Sequence, residues 1–414
     1  MTGDQSLLKR INRMALVRLV KAEPGLSRVE LAHRTGLTKT TVGMLVQELI
    51  EEGWLHQSAP AEGQGVGRRP LPLTLDREHI GLLGAEIGVD YLNVVACNLQ
   101  GEAFQSRCVP YQHRDVGRSL KTLAAMVARA HQELVEGGRR VLGIGVGVPG
   151  MLDLADGVLR FAPNLGWHGV RFEPLLKARL AEAGCGHLPV IVSNDAKAAA
   201  LSEYVFGTEH HSGPLVYLAI GIGLGGGIVL SDRLYLGHDG IAGEVGHTIL
   251  EPGGPRCACG RRGCAETLVS QRAVSRDLTG RDSPILSIDL IRQRLAGGDK
   301  AALRATRKAG EHLGIVLQNV ANTYNPAVIV LGGPLVQLGD PFLKPALASM
   351  KAHGGRFDFH RHSVRLCRFG IDACALGAAG SLFQRVLYSV EANLGAVAEP
   401  EALPQRGARV SAQG

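Results

Sequence analysis

The segment GEVGHTILEPGGPRCACGRRGCAE, residues 243–266, decides how the rest of the chain is interpreted. It brings together His247, Cys257, Cys259 and Cys264, with the spacing Cys-x-Cys-x4-Cys and the histidine ten residues upstream. Three thiolates and a neutral imidazole fill a tetrahedral zinc shell and leave no place for water, so the segment predicts a structural Zn²⁺. Free or oxidised thiols are the alternative. Eight cysteines in 414 residues are too few for a disulfide-dense scaffold, which favours the metal.

Two glutamates of the same segment, Glu244 and Glu266, are left over once the metal shell is complete. A metal-bound histidine has a second ring nitrogen that needs a partner, so His247 can face zinc on one side and a ligand hydroxyl on the other. If the segment is helical, Glu244 shares that face of His247. The alternative interpretation is a zinc-stabilised loop whose glutamates are only solvated.

The segment contains the complete patterns E-x-G-H, at residues 244–247, and C-x-C-G-x-x-G-C-x-E, at residues 257–266. In these patterns the chain resembles the ROK family of repressors, open reading frames and sugar kinases, and within it the repressors of the xylose and N-acetylglucosamine type. The resemblance extends over roughly residues 80–390. It implies an α/β fold: a two-lobed, actin-like domain of the sugar kinase and ribonuclease H type, preceded by an all-α or winged helix-turn-helix domain.

The domain boundaries follow from this interpretation. We expect a DNA-binding domain at residues 1–78 and a sugar-binding domain at residues 79–390. Lobe one of that domain takes residues 79–194 and 372–390, and lobe two takes residues 195–371. The remaining residues, 391–414, are rich in Ala, Pro, Gly, Gln and Arg and are expected to be disordered.

The overall charge favours a polyanionic partner. The net charge is +7, and residues 1–47 hold eight basic and three acidic side chains. No run of 18 apolar residues occurs and the first 20 residues carry charges throughout, so neither a membrane span nor a signal peptide is expected. A cytoplasmic location is the corresponding expectation.

A helix-turn-helix is predicted near the N-terminus. After an amphipathic helix at residues 5–22, Ser27 and Glu30 form a capping box, Gly36 supplies a sharp turn, and Thr38 caps a second helix. The start of this second helix is expected in the DNA major groove. A second basic segment, GVGRRP, is expected at the tip of a wing that reaches the minor groove. The candidate DNA-binding residues are Arg28, Thr38, Lys39, Thr40, Thr41, Arg68 and Arg69. A protein-binding helical triplet with a solvated basic loop is the alternative.

The phosphate-binding loops of the kinase members are altered in this chain. Residues 80–104 predict two strands about a turn, where the family form D-x-G-G-T is replaced by Glu86-Ile87-Gly88-Val89-Asp90. An added carboxylate there repels phosphate. In a second strand-turn-strand, residues 216–230, Ile222 stands where the kinases place a threonine. Residues 161–167 are predicted as a loop, and residues 284–323 as helical.

A buried strand at residues 190–193 ends in Asn194 and Asp195 at the start of an Ala-rich helix. Strand ends of open α/β sheets line ligand clefts, although either residue can also be a simple helix cap. In kinases of the family, the residue matching Asp195 is the general base, and the residues around it hold the sugar. The residues expected to bind a sugar are Gly150, Asn164, Asn194, Asp195, Glu244, His247 and Glu266.

The leading hypothesis is a sugar-responsive transcriptional regulator, most simply a repressor of carbohydrate-utilisation genes. Its predicted partners are double-stranded operator DNA, a sugar or sugar derivative, and a second or further copies in a homodimer or homotetramer. The competing hypothesis is an ATP-dependent hexose or N-acetylhexosamine kinase that uses Asp195 and carries a DNA-binding head. A third is a zinc-stabilised DNA-binding protein without a sugar ligand.

Overall fold

The computed structural model describes residues 5–58, 71–112, 114–153, 156–207, 213–280, 283–354 and 363–388. Within these ranges no helix is long and apolar enough to cross a membrane. The predicted wing tip, with Arg68 and Arg69, lies outside the described residues, and so does the predicted tail. The domain boundaries stay predictions.

The N-terminal head contains three helices and a two-stranded antiparallel sheet. Ser27 and Glu30 form the predicted capping box, Gly36 ends the second helix with φ +70°, and Thr38 caps the third helix. The buried face of the third helix includes Val42 and Leu45. The elements are α1 (Gln5–Ala22), α2 (Arg28–Thr35), α3 (Lys39–Glu51), β1 (Leu55–Gln57) and β2 (Leu73–Leu75).

The first five-stranded sheet has the order β10-β6-β3-β4-β5, with β3, β6 and β10 parallel. A smaller antiparallel sheet of β7, β8 and β9 lies between β6 and β10 in the chain. The elements of this region are β3 (Ile80–Ile87), β4 (Tyr91–Cys97), β5 (Ala103–Pro110), α4 (Val116–Glu136), β6 (Arg140–Val148), β7 (Met151–Asp153), β8 (Val158–Ala162), β9 (Trp167–Val170), α5 (Phe172–Glu182) and β10 (Val190–Asn194).

The second five-stranded sheet repeats this topology with the order β13-β12-β11-β14-β15. Its strands β11, β14 and β15 are parallel, and β12 and β13 complete an antiparallel meander. The elements are α6 (Asp195–Phe206), β11 (Leu215–Ile220), β12 (Leu224–Leu230), β13 (Arg233–Leu234), α7 (Gln271–Thr279), α8 (Ile288–Ala296), α9 (Lys300–Tyr324), β14 (Val328–Gly332), α10 (Asp340–Ala352), β15 (Ser363–Leu366) and α11 (Ala373–Tyr388).

Helices α11 and α6 form the layer between the two large sheets. α11 packs on β3 and β6, α6 packs on β11 and β12, and the two helices pack against each other. One continuous cluster of buried side chains joins this layer to the head, and it includes Leu16 of α1, Trp54, Leu201 of α6 and Phe383 of α11. The head is therefore packed on the same core that carries α6, whose first residue is Asp195.

Two sequence expectations needed correction, while the two strands predicted for residues 80–104 are present as β3 and β4. Residues 161–167 are not a plain loop, since the segment ends β8 and begins β9. Residues 284–323 hold two helices that are separated where Asp299 caps α9.

Candidate functional site: a polar cleft beside a metal-ligating cluster

The four predicted metal ligands meet at one point. One ligand atom from each of His247, Cys257, Cys259 and Cys264 lies within 4.8 Å of the others. The Sγ atoms of Cys259 and Cys264 are 3.7 Å apart, and Cys257 Sγ is 3.6 Å from His247 Nδ1. These thiols are not joined in disulfides. Their arrangement is a donor set that could hold a metal ion.

The surroundings favour a thiolate at Cys259, whereas burial raises the pKa values of Cys257 and Cys264. Burial raises the pKa of Cys257 to about 12. Burial also acts against ionisation of Cys259, but hydrogen bonds from the backbone and side chain of Arg261, and from the neighbouring thiols, outweigh it and lower the pKa of Cys259 to about 6. A thiolate is the form of cysteine that binds metals.

His247 connects the metal-ligating cluster to the cleft. It ends a short 3-10 turn, Val245–His247, that begins directly after Glu244. While Nδ1 faces Cys257, Nε2 lies 3.9 Å from Glu244 Oε2. The two ring nitrogens therefore face the cysteine cluster and the Glu244 carboxylate separately, and the contact of Nε2 with a sugar hydroxyl stays a prediction.

Glu266 lies between the cluster and the turn that joins β11 to β12. Its Oε1 is 3.8 Å from Cys257 Sγ, and its Oε2 accepts a hydrogen bond from the Leu224 backbone N–H at 3.2 Å. A Cβ atom added to Gly223 would lie 2.5 Å from Glu266 Oε2 and 3.6 Å from Asn164 Nδ2. The absence of a side chain at Gly223 thus lets Asn164 and Glu266 approach the same turn. Asn164 Oδ1 accepts a hydrogen bond from Arg272 at 3.1 Å.

Asn194 and Asp195 lie where β10 meets α6. Asn194 is the helix cap, because its Oδ1 accepts from the Lys197 backbone N–H at 3.1 Å, and its Nδ2 donates to Gly150 O at 3.1 Å. Asp195 Oδ1 accepts from the Ala196 N–H at 2.8 Å. Burial, followed by the charge of Glu244, raises the pKa of Asp195 to about 6. A carboxyl group with such a pKa can accept or donate a proton near neutral pH.

Lys197 was missed at the sequence level. Its side chain is almost fully buried, with 5% exposure of the residue, and its Nζ donates to Gly240 O. Burial lowers the pKa of Lys197, while the charges of Glu244 and Asp195 oppose this shift. The available signal was a single lysine in the segment DAKAAAL, where every other residue after Asp195 is apolar.

The turn between β3 and β4 is filled by the protein itself. Glu86 is 6% exposed, and the Tyr91 hydroxyl donates to its Oε1 at 2.6 Å. A Cβ atom added to Gly88 would lie 2.4 Å from the Tyr91 ring, so the ring covers the turn. Burial raises the pKa of Glu86 to about 8. This is the place where the kinase members carry their first phosphate-binding loop, and Tyr91 was not singled out in the sequence.

The candidate DNA-binding residues are divided in the structure. Lys39 and Thr40 are exposed at the start of α3, where Thr38 Oγ1 accepts from the Thr41 N–H at 3.1 Å. The Arg28 guanidinium instead donates to Gly43 O at 3.2 Å and to two glutamine side chains within the head. The DNA-binding roles of these residues stay predictions.

Comparisons with known proteins agree with both parts of the molecule. Residues 82–385 match the model of the ROK family, and residues 14–59 match that of the IclR helix-turn-helix domain. The chain is 28% identical to the xylose repressor of Caldicellulosiruptor bescii over 399 residues, which cover 93% of this chain and 98% of the relative.

Solved structures agree as well. A ROK family transcriptional regulator, a homologue of the E. coli MLC protein, is similar with a TM-score of 0.75 and 26% identity, over 94% of this chain and 99% of that one. A ROK family glucokinase from Streptomyces griseus, in complex with glucose and AMPPNP, is similar with a TM-score of 0.64 and 27% identity, over 73% and 99% of the two chains. The predicted actin-like α/β fold behind a helix-turn-helix is confirmed.

Proposed function

The chain belongs to the ROK family, and from that premise we propose that it is a sugar-responsive transcriptional repressor that binds operator DNA through its head. The observation that carries the proposal is the presence of both machineries in one packed chain. A helix-turn-helix with exposed Lys39 and Thr40 shares a core with α6, and α6 starts at Asp195 in the polar cleft. Effector binding needs to change operator affinity by only about 1–3 kcal/mol to act as a switch.

The sugar-binding role is proposed for seven residues around this cleft. Asn194 donates a hydrogen bond to Gly150 O. Glu266 and Asn164 lie beside Gly223, and Glu244 lies beside His247. A sugar hydroxyl both donates and accepts hydrogen bonds, so carboxylates, amides and a ring nitrogen can hold several hydroxyls at once. The set is Gly150, Asn164, Asn194, Asp195, Glu244, His247 and Glu266.

The metal is proposed to be a structural Zn²⁺ held by His247, Cys257, Cys259 and Cys264. Tetrahedral zinc, with bonds of about 2.3 Å to sulfur and about 2.05 Å to nitrogen, requires ligand atoms roughly 3.6–3.8 Å apart. The separations of 3.6 Å and 3.7 Å in this cluster support that fit. When bound, zinc supplies a fixed tetrahedral anchor. The metal would hold His247 and Glu266, which both contact Cys257, in place beside Glu244 and the β11–β12 turn.

Operator binding is proposed to use two heads of a homodimer or homotetramer. Two copies of α3 would read half-sites one or more helical turns of DNA apart. Lys39 and Thr40 would contact the major groove, with Thr38 and Thr41 at the helix start. Arg68 and Arg69 would reach the minor groove. Arg28 supports α3 through its bond to Gly43 O, and we include it as a candidate for phosphate contact.

A kinase is the second candidate function, because Asp195 has a pKa of about 6 and a glucokinase shares the fold. A carboxylate with this pKa is suitable as a general base for a sugar hydroxyl. Against this function stand the Tyr91 ring over Gly88 and the buried Glu86 carboxyl in the first phosphate loop. We therefore favour a regulator without catalytic activity.

The test combines operator selection with a sugar panel. Genomic fragments that the purified protein retains identify an operator, and fluorescence anisotropy then measures its affinity with D-xylose, D-glucose or N-acetyl-D-glucosamine, each with and without Mg-ATP. One sugar should change operator affinity whether or not Mg-ATP is present. Formation of a phosphorylated sugar that disappears in Asp195→Ala would instead establish the kinase.

A matched pair of head variants tests the DNA-binding role. We expect Lys39→Ala to weaken operator binding about tenfold and to reduce its salt dependence, because one phosphate or base contact is lost. Lys9→Ala is the control, since Lys9 is exposed on α1 and is paired with Glu48 at 2.7 Å. Equal losses in both variants, or loss of sugar binding in Lys39→Ala, would contradict this division of roles.

A further inference from the structure

Lys197 places a positive charge where the fold by itself disfavours one. It is the third residue of α6, so its ammonium lies near the positive end of the helix dipole, which repels cations. It is also 95% buried, since only 5% of the residue is exposed. Burying an ammonium costs free energy unless it is paired and hydrogen-bonded. A specific set of partners must therefore compensate for Lys197.

Lys197 is compensated by one hydrogen bond to a neighbouring loop and by the charges of two carboxylates of the proposed sugar site. Its Nζ donates to the Gly240 carbonyl, and its charge is attracted to those of Glu244 and Asp195. These carboxylates belong to two different elements, because Asp195 begins α6 and Glu244 follows the loop 235–243. The ammonium thus links the helix that carries one carboxylate to the loop that carries the other.

The loop 235–243 depends on few contacts of its own. Its ends are held by hydrogen bonds from the Tyr235 N–H to Ile228 O at 2.7 Å and from the Ala242 N–H to Leu236 O at 3.0 Å. Tyr235 and Ile241 are 45% and 44% exposed, so neither anchors the loop in the core. The bond from Lys197 to Gly240 joins the middle of this loop to the protein body.

We propose that Lys197 is a positioning and specificity residue of the cleft, which holds the Glu244 loop on α6 and partly balances the two carboxylates, so that uncharged sugars are favoured over protonated amino sugars. This inference rests on the proposed function, because it assumes that Asp195 and Glu244 face the effector. An ammonium on the ligand would compete with Lys197 for the same carboxylates. Removing Lys197 leaves two unbalanced negative charges, and their attraction for a cationic ligand increases.

The first readout needs no ligand. Hydrogen exchange of peptides that cover residues 235–244 is measured in the full-length wild type, in Lys197→Met, and in Lys344→Met, where the control lysine is exposed and paired with Asp340. We expect at least about tenfold faster exchange of these peptides in Lys197→Met only, with partial rescue in Lys197→Arg. Unchanged exchange in Lys197→Met would overturn the positioning role.

The second readout compares matched neutral and cationic sugars. Calorimetry measures the Kd of D-glucose and D-glucosamine, D-galactose and D-galactosamine, and D-mannose and D-mannosamine at pH 7. In Lys197→Met the Kd of the neutral sugar divided by the Kd of its amino sugar should rise about tenfold or more, because the amino sugar gains affinity. If the substitution only loosened the loop, both members of a pair would bind more weakly by the same factor and the ratio would stay unchanged. An unchanged ratio would overturn the specificity role. If wild type and variant bind none of the six sugars, the specificity role is overturned for these sugars and hydrogen exchange alone judges the positioning role. The sugar-binding function itself is then judged by the D-xylose and N-acetyl-D-glucosamine arms of the operator test.

Discussion

The two large sheets contain equivalent hairpin turns that have opposite surroundings. The first turn, residues 88–90 between β3 and β4, is covered by the Tyr91 ring, whose hydroxyl is bonded to the buried Glu86. The second turn, residues 221–223 between β11 and β12, is bare glycine on the side where Glu266 and Asn164 approach. The same topology therefore carries one turn closed by its own side chains and one turn bordered by polar groups. We relate the first to the proposed absence of kinase activity and the second to the proposed effector binding.

The largest expected effect comes from removing the cluster that supports Glu266 beside the second turn. Cys264→Ser should reduce bound zinc from about one per chain to near zero, because a closed structural site needs all four ligands. The free energy of unfolding should fall by on the order of 3 kcal/mol or more, since metal binding contributes to folding. Metal analysis and urea unfolding measure both changes. The exposed Cys108→Ser is the control. A metal-free variant with full effector response would contradict the support of Glu266 and His247 by the cluster.

The second largest expected effect comes from removing the charge of Asp195 at the start of α6. Asp195→Asn should weaken effector binding by about 2–3 kcal/mol, or roughly 100-fold, because hydrogen bonds to a charged acceptor are lost. Operator binding without effector should stay unchanged. The exposed Asp289→Asn on α8 is the matched control.

The wild-type pH profile gives a further readout for Asp195. The raised pKa of about 6 means that the carboxylate form, which accepts two or more hydrogen bonds, is populated only above that pH. Effector affinity should therefore fall as pH decreases from 7.5 to 5, and this fall should be smaller in Asp195→Asn. An identical profile in both proteins would show that another group controls binding.

Much of the second turn's surroundings could be predicted because the relevant residues are close in sequence. His247 and the three cysteines lie within one segment, and the capping-box residues Ser27 and Glu30 are three positions apart. The spacing of such residues already determines which side chains can meet.

The features that were missed depend on long-range packing. Lys197 reaches Gly240, 43 residues away, and Asn164 meets Arg272, 108 residues away. The cover on the first turn is local in sequence, but the direction of the Tyr91 ring is set by the β3–β4 hairpin rather than by a pattern of residues. A sequence pattern can identify a loop as altered without showing which side chain fills it.

The first turn gives a prediction about protein stability. Stability should fall as pH rises, whereas effector affinity should fall as pH decreases. The pKa of Glu86 rises from 4.5 in the unfolded chain to about 8 in the folded protein, mainly through burial. The unfolded chain therefore releases this proton first, and the folded state loses stability as pH rises from about 5 to 8. Glu86→Gln removes that dependence and keeps an acceptor for Tyr91. Relative to Glu86→Gln, the wild type should lose on the order of 3 kcal/mol across this range, at about 1.4 kcal/mol for each unit of pKa difference. Urea unfolding measures it, with the exposed Glu136→Gln as control.

The smallest expected effect tests whether the closed turn is independent of the open one. Tyr91→Phe keeps the ring over Gly88 but removes the 2.6 Å hydrogen bond to Glu86. A buried acceptor that loses its donor costs about 1 kcal/mol of unfolding free energy. Effector affinity should not change, because the hydroxyl serves Glu86 and not the second turn. Urea unfolding and calorimetry measure the two quantities, with Tyr324→Phe at the end of α9 as control. A weakened effector in Tyr91→Phe would mean that both turns contact one ligand, and the contrast between a closed and an open turn would fail.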